Sequence, residues 1–285
     1  MFEFASLLDR LHRHGDAAAV LEVRGEDVRT HGYRDIADRV RALALGLVRA
    51  GVGSGERVGL MAPNGASWII ARLGIAVAGA VAVAIDDLAD ADEAAMVIRS
   101  SGLRRLFTVR AHVQMLRGLG DGRETEPILI DEDGRDEADA RSWSSLSTGQ
   151  NGTRPPVLSG DAPSMLVYTS GTTGSPKPFV LANRNIEVNV GAIGKMGLIG
   201  PGDRVLLPLP LHHVYPFVVG LLVPFAVGAT VVLPEAATGP KIVRALDVAQ
   251  ATAMIGVPRL YEALVGGLEA QVEARGRARA RLFAV

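Results

Sequence analysis

Residues 168–178 read Tyr-Thr-Ser-Gly-Thr-Thr-Gly-Ser-Pro-Lys-Pro, a run dominated by hydroxyls and glycines with one lysine held between two prolines. Gly171 and Gly174 carry no Cβ to stop the backbone from turning its N–H groups toward an anion, and Thr169, Ser170, Thr172 and Thr173 add hydroxyl donors. Lys177 contributes a compact, flexible ammonium. Lys177, Lys195 and Lys241 are the only lysines among 30 basic residues, so arginine is the ordinary cation of this chain and the lysine beside the loop departs from its habit. By composition the run is a cradle for phosphates.

The spacing narrows the chemistry. Lys177 follows Gly174 by three residues and is followed by proline, which is not the Walker spacing, and there is neither a G-x-G-x-x-G nor a G-x-S-x-G string. With no cysteine in 285 residues there is no disulfide, no thiolate metal site and no catalytic thiol. Lys and Arg number 30 against 31 Asp and Glu, a net charge of −1, which gives no broad field to hold a polyanion; nucleic acid is not an expected partner. His212 and His213 form the other concentration of chemistry-bearing residues, readable either as a satisfied pair beside a buried helix or as part of a site.

The elements that position these residues follow from the apolar pattern. Ile36, Val40, Leu43, Leu47 and Val48 recur at helical spacing, and Gly51 stands where a left-handed cap belongs. The pattern then predicts strands over 58–61, 81–85, 106–109 and 128–130, alternating with helices over 67–78, 93–100 and 112–119. Residues 131–163 lose periodicity and read as a surface connection. Alternation resumes with strands over 165–169, 205–207, 230–233 and 253–257, helices over 185–196, 218–226 and 241–250, and a final helix from Pro258. The fold class is α/β with parallel βαβ units, divided as a first α/β subdomain with its connecting segment over 1–160 and a second over 161–285 that carries the phosphate loop. The uncharged run 205–233 is cut by Pro208, Pro210, Pro216 and Pro224 into pieces too short for a membrane span, and is expected in the core. The mixed charges of residues 1–16 do not make a signal peptide, so a cytoplasmic location is expected.

Three strings in order carry a resemblance. Residues 169–177 resemble the phosphate-binding motif of the AMP-forming, adenylate-forming enzymes: acyl-CoA synthetases, luciferases and the adenylation domains of peptide synthetases. Leu207-Pro208-Leu209-Pro210-Leu211-His212-His213-Val214-Tyr215 is similar to that family's next motif, and Gly256-Val257-Pro258-Arg259-Leu260-Tyr261 resembles the element that lines its acyl pocket. The resemblance implies the N-terminal large domain of such an enzyme, with two sheet-containing subdomains and flanking helices, cut before the C-terminal domain. It implies ATP, Mg²⁺ and CoA as cofactors and a small-molecule carboxylic acid as substrate. The Val257-Pro258-Arg259-Leu260-Tyr261 string and the Arg-rich helix beyond it resemble the fatty-acyl branch, and His-His-Val-Tyr-Pro stands where the amino-acid branch commonly has an Asp. It assigns the phosphates to Thr169, Ser170, Gly171, Thr172, Thr173, Gly174 and Lys177, the acyl carboxylate to His213, and the acyl pocket to Val214, Tyr215, Gly256 and Val257. Lys177 and His213 are the expected catalytic residues. The chain departs from the family in having Pro178 after the lysine and Leu181-Ala182-Asn183-Arg184-Asn185 where a Thr-His pair is usual. Other family motifs fall beyond residue 285, so residues 1–285 alone are expected not to complete the reaction. A carrier-loading adenylation domain and a truncated paralogue that binds nucleotide or a partner are the alternatives.

Overall fold

The computed structural model describes residues 2–118, 125–131, 140–147, 155–169 and 177–274. A short turn (Phe4–Ser6) leads into α1 (Leu7–Arg13) and the hairpin β1 (Ala18–Arg24) and β2 (Asp27–Gly32). There follow α2 (Tyr33–Arg49), β3 (Arg57–Met61), α3 (Ala66–Val77), β4 (Val81–Ala84), α4 (Ala91–Ser101), β5 (Arg105–Thr108), α5 (Arg110–Arg117) and β6 (Glu126–Leu129). Next come β7 (Arg141–Ser142), α6 (Trp143–Ser147), β8 (Pro163–Thr169), β9 (Lys177–Ala182), α7 (Asn183–Lys195) and β10 (Arg204–Leu206). A π-helix (Pro216–Leu222) runs into α8 (Val223–Val227), and β11 (Thr230–Leu233), α9 (Gly239–Val248), β12 (Ala253–Met254) and α10 (Pro258–Ala274) close the order.

The strands form a five-stranded sheet, β12-β10-β11-β1-β2, and a seven-stranded sheet, β7-β6-β5-β3-β4-β8-β9. Pairing is parallel except for β1 with β2 and β8 with β9, the two places where a short connection lets the chain turn straight back. Sheet membership crosses the 160/161 division: the early β1 and β2 sit with β10–β12, and β8 and β9 sit with β3–β7.

Period-two alternation builds a layered core. On β3, Val58 and Leu60 face a central cluster while Met61 faces an outer one; on β11, Val231 and Leu233 face the centre while Val232 faces out. The central cluster also takes Ile36, Val40 and Leu43 of α2, Trp68, Ile69 and Leu73 of α3, and Phe217 and Leu221 of the π-helix. α4 covers the outer face of the seven-stranded sheet, and α9 that of the five-stranded one. The molecule therefore stacks helix, sheet, helix, sheet, helix. α3 lies in the middle layer and is buried from Ala66 to Val77 except for Ser67, as a helix between two sheets must be.

Most of the predicted elements are present, and the differences have physical causes. The hairpin β1–β2 and strand β9 carry no predicted element; β2 and β9 are largely exposed, so they lack the apolar run that marks a buried strand. Within the predicted surface connection, Ala140–Ser142 extend the seven-stranded sheet at its edge and Trp143 is buried under the Arg39 guanidinium at 5.2 Å, so this segment is part of the packing. The predicted helix over 218–226 is a π-helix followed by a short α-helix, and the predicted strand over 253–257 pairs only at Ala253 and Met254. Gly51 does take the left-handed conformation, with φ 80°.

α2 and α3 meet closely at Gly74, where a Cβ would lie 2.8 Å from Leu43 Cδ2 and 3.1 Å from its Cγ. Gly74→Val is expected to lower stability by about 1–3 kcal/mol through overpacking. Urea denaturation checks it, and Leu43→Ala in the same chain should recover part of the loss. A Gly74→Val chain as stable as wild type would show that the two helices do not pack at this distance.

Candidate active site

The parallel strands of the seven-stranded sheet all end on one edge, and the candidate residues gather there. Thr169 ends β8 and pairs with Lys177, the first residue of β9, so the two ends of the phosphate run are held side by side by the ladder. Ser170, Gly171, Thr172, Thr173 and Gly174 lie outside the described residues. β4 pairs with β8 through Ala82 with Met165 and Val83 with Leu166. Asp86 follows Val83 by three residues, as Thr169 follows Leu166, which sets Asp86 at the same carboxyl edge. In open α/β sheets this edge is where ligands bind.

From the other sheet, the segment between β10 and the π-helix brings His212 and His213 to that edge. His212 Nδ1 stands 3.8 Å from Asp86 Oδ1, and the two imidazole rings lie with centroids 4.0 Å apart at 55°. The segment is not held by regular structure. Asn64 holds it: its Nδ2 donates to the Leu209 carbonyl at 2.9 Å, and its Oδ1 accepts from the Leu211 N–H at 2.9 Å. One side-chain amide thus supplies both a donor and an acceptor to a stretch whose Pro208 and Pro210 have no N–H of their own. The His213 N–H reaches the Pro210 carbonyl at 3.3 Å, and the Phe217 N–H reaches the His213 carbonyl at 3.2 Å.

Asn64 is in turn fixed because it lies two residues before α3, and α3 is anchored at its start. Glu22 of β1 accepts the Ala66 N–H at Oε1 (2.8 Å) and contacts His31 Nε2 through Oε2 at 3.2 Å. Both side chains are buried. Burial alone would push the Glu22 carboxyl up; the His31 hydrogen bond, the Ala66 N–H and the nearby positive charges outweigh it and hold the group below its ordinary value. The carboxylate also lies at the positive end of the helix dipole.

The residues expected to line an acyl pocket are brought together in part. The Tyr215 hydroxyl lies 3.4 Å from the Gly256 carbonyl, and the Tyr261 hydroxyl donates to the Met254 carbonyl at 3.0 Å. A Cβ at Gly256 would lie 2.8 Å from the Tyr261 ring, so only glycine admits this approach. Val214 is half-buried against the central core, whereas Tyr215 and Val257 remain exposed. Asn64 and Asp86 were not among the candidates; their partners lie more than 100 residues away, and no local spacing announces them. Among the described residues, no three histidine or acidic side chains converge as metal ligands, so none of them is assigned to Mg²⁺.

Burial, the neighbouring His213 and, in the opposite sense, Asp86 set the titration of His212, which falls to about 4. The ring is neutral at pH 7. The unfolded chain takes up this proton near the ordinary histidine value of about 6.5, so His212 favours folding above that pH and loses this contribution as pH falls toward about 4. His212→Asn is expected to flatten the stability profile over that interval, read by urea denaturation at stepped pH; an unchanged slope would show that His212 protonates as freely folded as unfolded. Asn64→Ala should cost about 1–3 kcal/mol by leaving buried backbone groups unpaired. The same substitution should move the His212 and His213 ring resonances in the NMR spectrum, and unmoved resonances would show that Asn64 does not hold the histidine segment.

Comparison with known proteins places this geometry. Residues 7–284 match the model of the AMP-binding enzyme family. The sulfoacetate–CoA ligase of Cupriavidus necator is 34% identical over 187 residues, covering 65% of this chain and 36% of that protein. The long-chain-fatty-acid–CoA ligase FadD15 of Mycobacterium bovis is 28% identical over 258 residues, covering 88% and 42%. The chain thus spans less than half the length of these relatives. Among solved structures, the inhibitor-bound N-terminal domain of FACL13 from Mycobacterium tuberculosis aligns with TM-score 0.79 at 22% identity, over 93% of this chain and 65% of that one. The anthranilate CoA ligase AuaEII in complex with anthranoyl-AMP aligns with TM-score 0.79 at 22% identity, over 92% and 51%. The likeness to these structures is one of fold. With a family match that runs nearly end to end and two sheets arranged as in those N-terminal domains, the chain belongs to the AMP-binding, adenylate-forming enzyme family.

Proposed function

We propose that this chain provides the phosphate and acyl sites of an AMP-forming acid–CoA ligase. A carboxylate oxygen attacks the α-phosphorus of ATP, the bond from that phosphorus to the β-phosphate bridging oxygen breaks, and acyl-AMP and pyrophosphate result. The thiol of CoA then attacks the acyl carbonyl, and AMP leaves as the thioester forms. Thr169, Ser170, Gly171, Thr172, Thr173, Gly174 and Lys177 take the β- and γ-phosphates, holding the leaving pyrophosphate in line and countering its developing charge. His213 stands by the acyl carboxylate; Val214, Tyr215, Gly256 and Val257 shape the wall beyond it. The acid has an apolar body, a medium or long chain, because each methylene buried against such a wall gains about 0.8 kcal/mol.

One observation carries the reading: the ends of the phosphate run and the two histidines come from different sheets to the same carboxyl edge, joined there by Asp86 and His212. Charge stabilisation at such an edge needs donors and a cation, not a covalent nucleophile. No helix among the described residues is long and apolar enough to cross a membrane, and the uncharged run 205–233 is spent on β10, the π-helix, α8 and β11.

The test is pyrophosphate release and thioester formation by the complete polypeptide that carries this chain. Lys177→Ala and Thr173→Val are each expected to slow acyl-AMP formation by about 10² to 10³, the effect of losing one preorganised donor. Rates within about threefold of wild type would remove the phosphate-cradle assignment. Turnover of an amino acid at least equal to that of a fatty acid would transfer the assignment to carrier-loading enzymes.

A further inference from the structure

Arg72 lies in the middle of α3 with no exposed surface, and none of Nε, Nη1 and Nη2 has a hydrogen-bond partner among the described residues. A guanidinium carries five N–H donors and is almost never fully buried unless paired. The neighbour it does have is aromatic: its Cζ stands 4.3 Å from the centroid of the Phe217 ring. That contact offsets part of the loss of water but gives the N–H groups no acceptor. Burial lowers the group to about 9, which still leaves it charged at neutral pH. An uncompensated cation in the central layer calls for an acceptor that no described residue supplies.

The surroundings connect this cation to the acyl site. Phe217 offers its ring to Arg72 and its backbone N–H to the carbonyl of His213. It lies in the π-helix, whose Val223 N–H closes on the Val218 carbonyl five residues back. π-Helical turns are rare and concentrate at functional sites. Val214, part of the acyl wall, packs against the same central core as Trp68 and Phe217.

We infer that Arg72 receives a second acidic group, a carboxylate or sulfonate, at the end of the acyl substrate remote from the carboxylate being activated. The inference rests on the acid-activating reading above and adds the chemistry of the far end of the apolar body. Two oxygens of such a group match the guanidinium fork and form parallel charge-assisted hydrogen bonds. An acid ending in a methyl group leaves the cation unpaired, so selectivity comes as much from rejection as from attraction.

Isothermal titration of the 285-residue chain with length-matched acids tests this: butyrate against succinate and 3-sulfopropanoate, hexanoate against adipate, octanoate against suberate. At the best length, the doubly acidic member should bind wild type at least about tenfold more tightly, the scale of a charge-assisted pair. Arg72→Met should bring the ratio close to one and keep or raise the melting temperature, because an apolar side chain of similar length replaces an unpaired buried charge. Arg72→Lys should keep part of the preference, and this variant decides if Arg72→Met does not fold. Equal binding of both members to wild type, a preference that survives in Arg72→Met, or inorganic sulfate binding as tightly as the dianion would each overturn the assignment. Equal binding with ATP-dependent thioester formation intact in the complete polypeptide that carries this chain removes Arg72 alone; absence of acyl-AMP from that polypeptide with every acid removes the activation reading itself.

Discussion

A helix packed between two sheets has no face left for water, so its side chains must be apolar all round and its polar ends must be met by the chain itself. α3 is that helix. The buried Glu22 of one sheet accepts its first N–H, that of Ala66, and Asn64, two residues before the helix, holds the segment that carries His212 and His213. These contacts make one connected arrangement: β1 fixes the start of α3, the start of α3 fixes Asn64, and Asn64 fixes the histidines against Asp86. The close approach of α3 to α2 at Gly74 sets the depth of the layer. A shift of α3 along its axis would be felt at the site before it was felt anywhere on the surface.

The electrostatics at the site follow from the same arrangement. Two imidazoles in contact cannot both carry charge cheaply, and burial together with this neighbour lowers the partly buried His212 to about 4. His212 is therefore a neutral ring in contact with its exposed neighbour. Nearby, burial, with His112 opposing it and Asp86 adding to it, raises the Asp87 carboxyl. The edge of the sheet thus holds an imidazole kept neutral by burial and a carboxyl group raised by it.

What the sequence discloses depends on where each element's partners lie. β3 to β6 and the helices between them are legible because burial on both faces gives short apolar runs between helical periods. β2 and β9 are not, since each lies at a sheet edge and is mostly exposed, and their strand character comes from the backbone of a neighbour. The run proposed to hold phosphates is legible for the opposite reason: such a role needs a dense local string of glycines and hydroxyls, and local strings survive in a linear reading. Asn64 illustrates the limit. In the sequence Pro63-Asn64-Gly65 reads as a turn, and it is one, but the side chain spends its hydrogen bonds on Leu209 and Leu211.

The same limit explains why a polar residue inside α3 escapes a pattern-based reading. Arg72 falls where the helical period asks for an apolar residue, and a single exception within Trp-Ile-Ile-Ala-Arg-Leu-Gly-Ile does not change the identity of the helix. Propensity offers no objection either, because arginine is a good helix former. Only tertiary packing, which sets Phe217 of the π-helix against the guanidinium, turns an arginine that could have reached solvent into one with no exposed surface. A residue can thus be unremarkable in its own helix and costly in the assembled fold, and such a mismatch between local and tertiary demands is where function is most often found to have overridden packing.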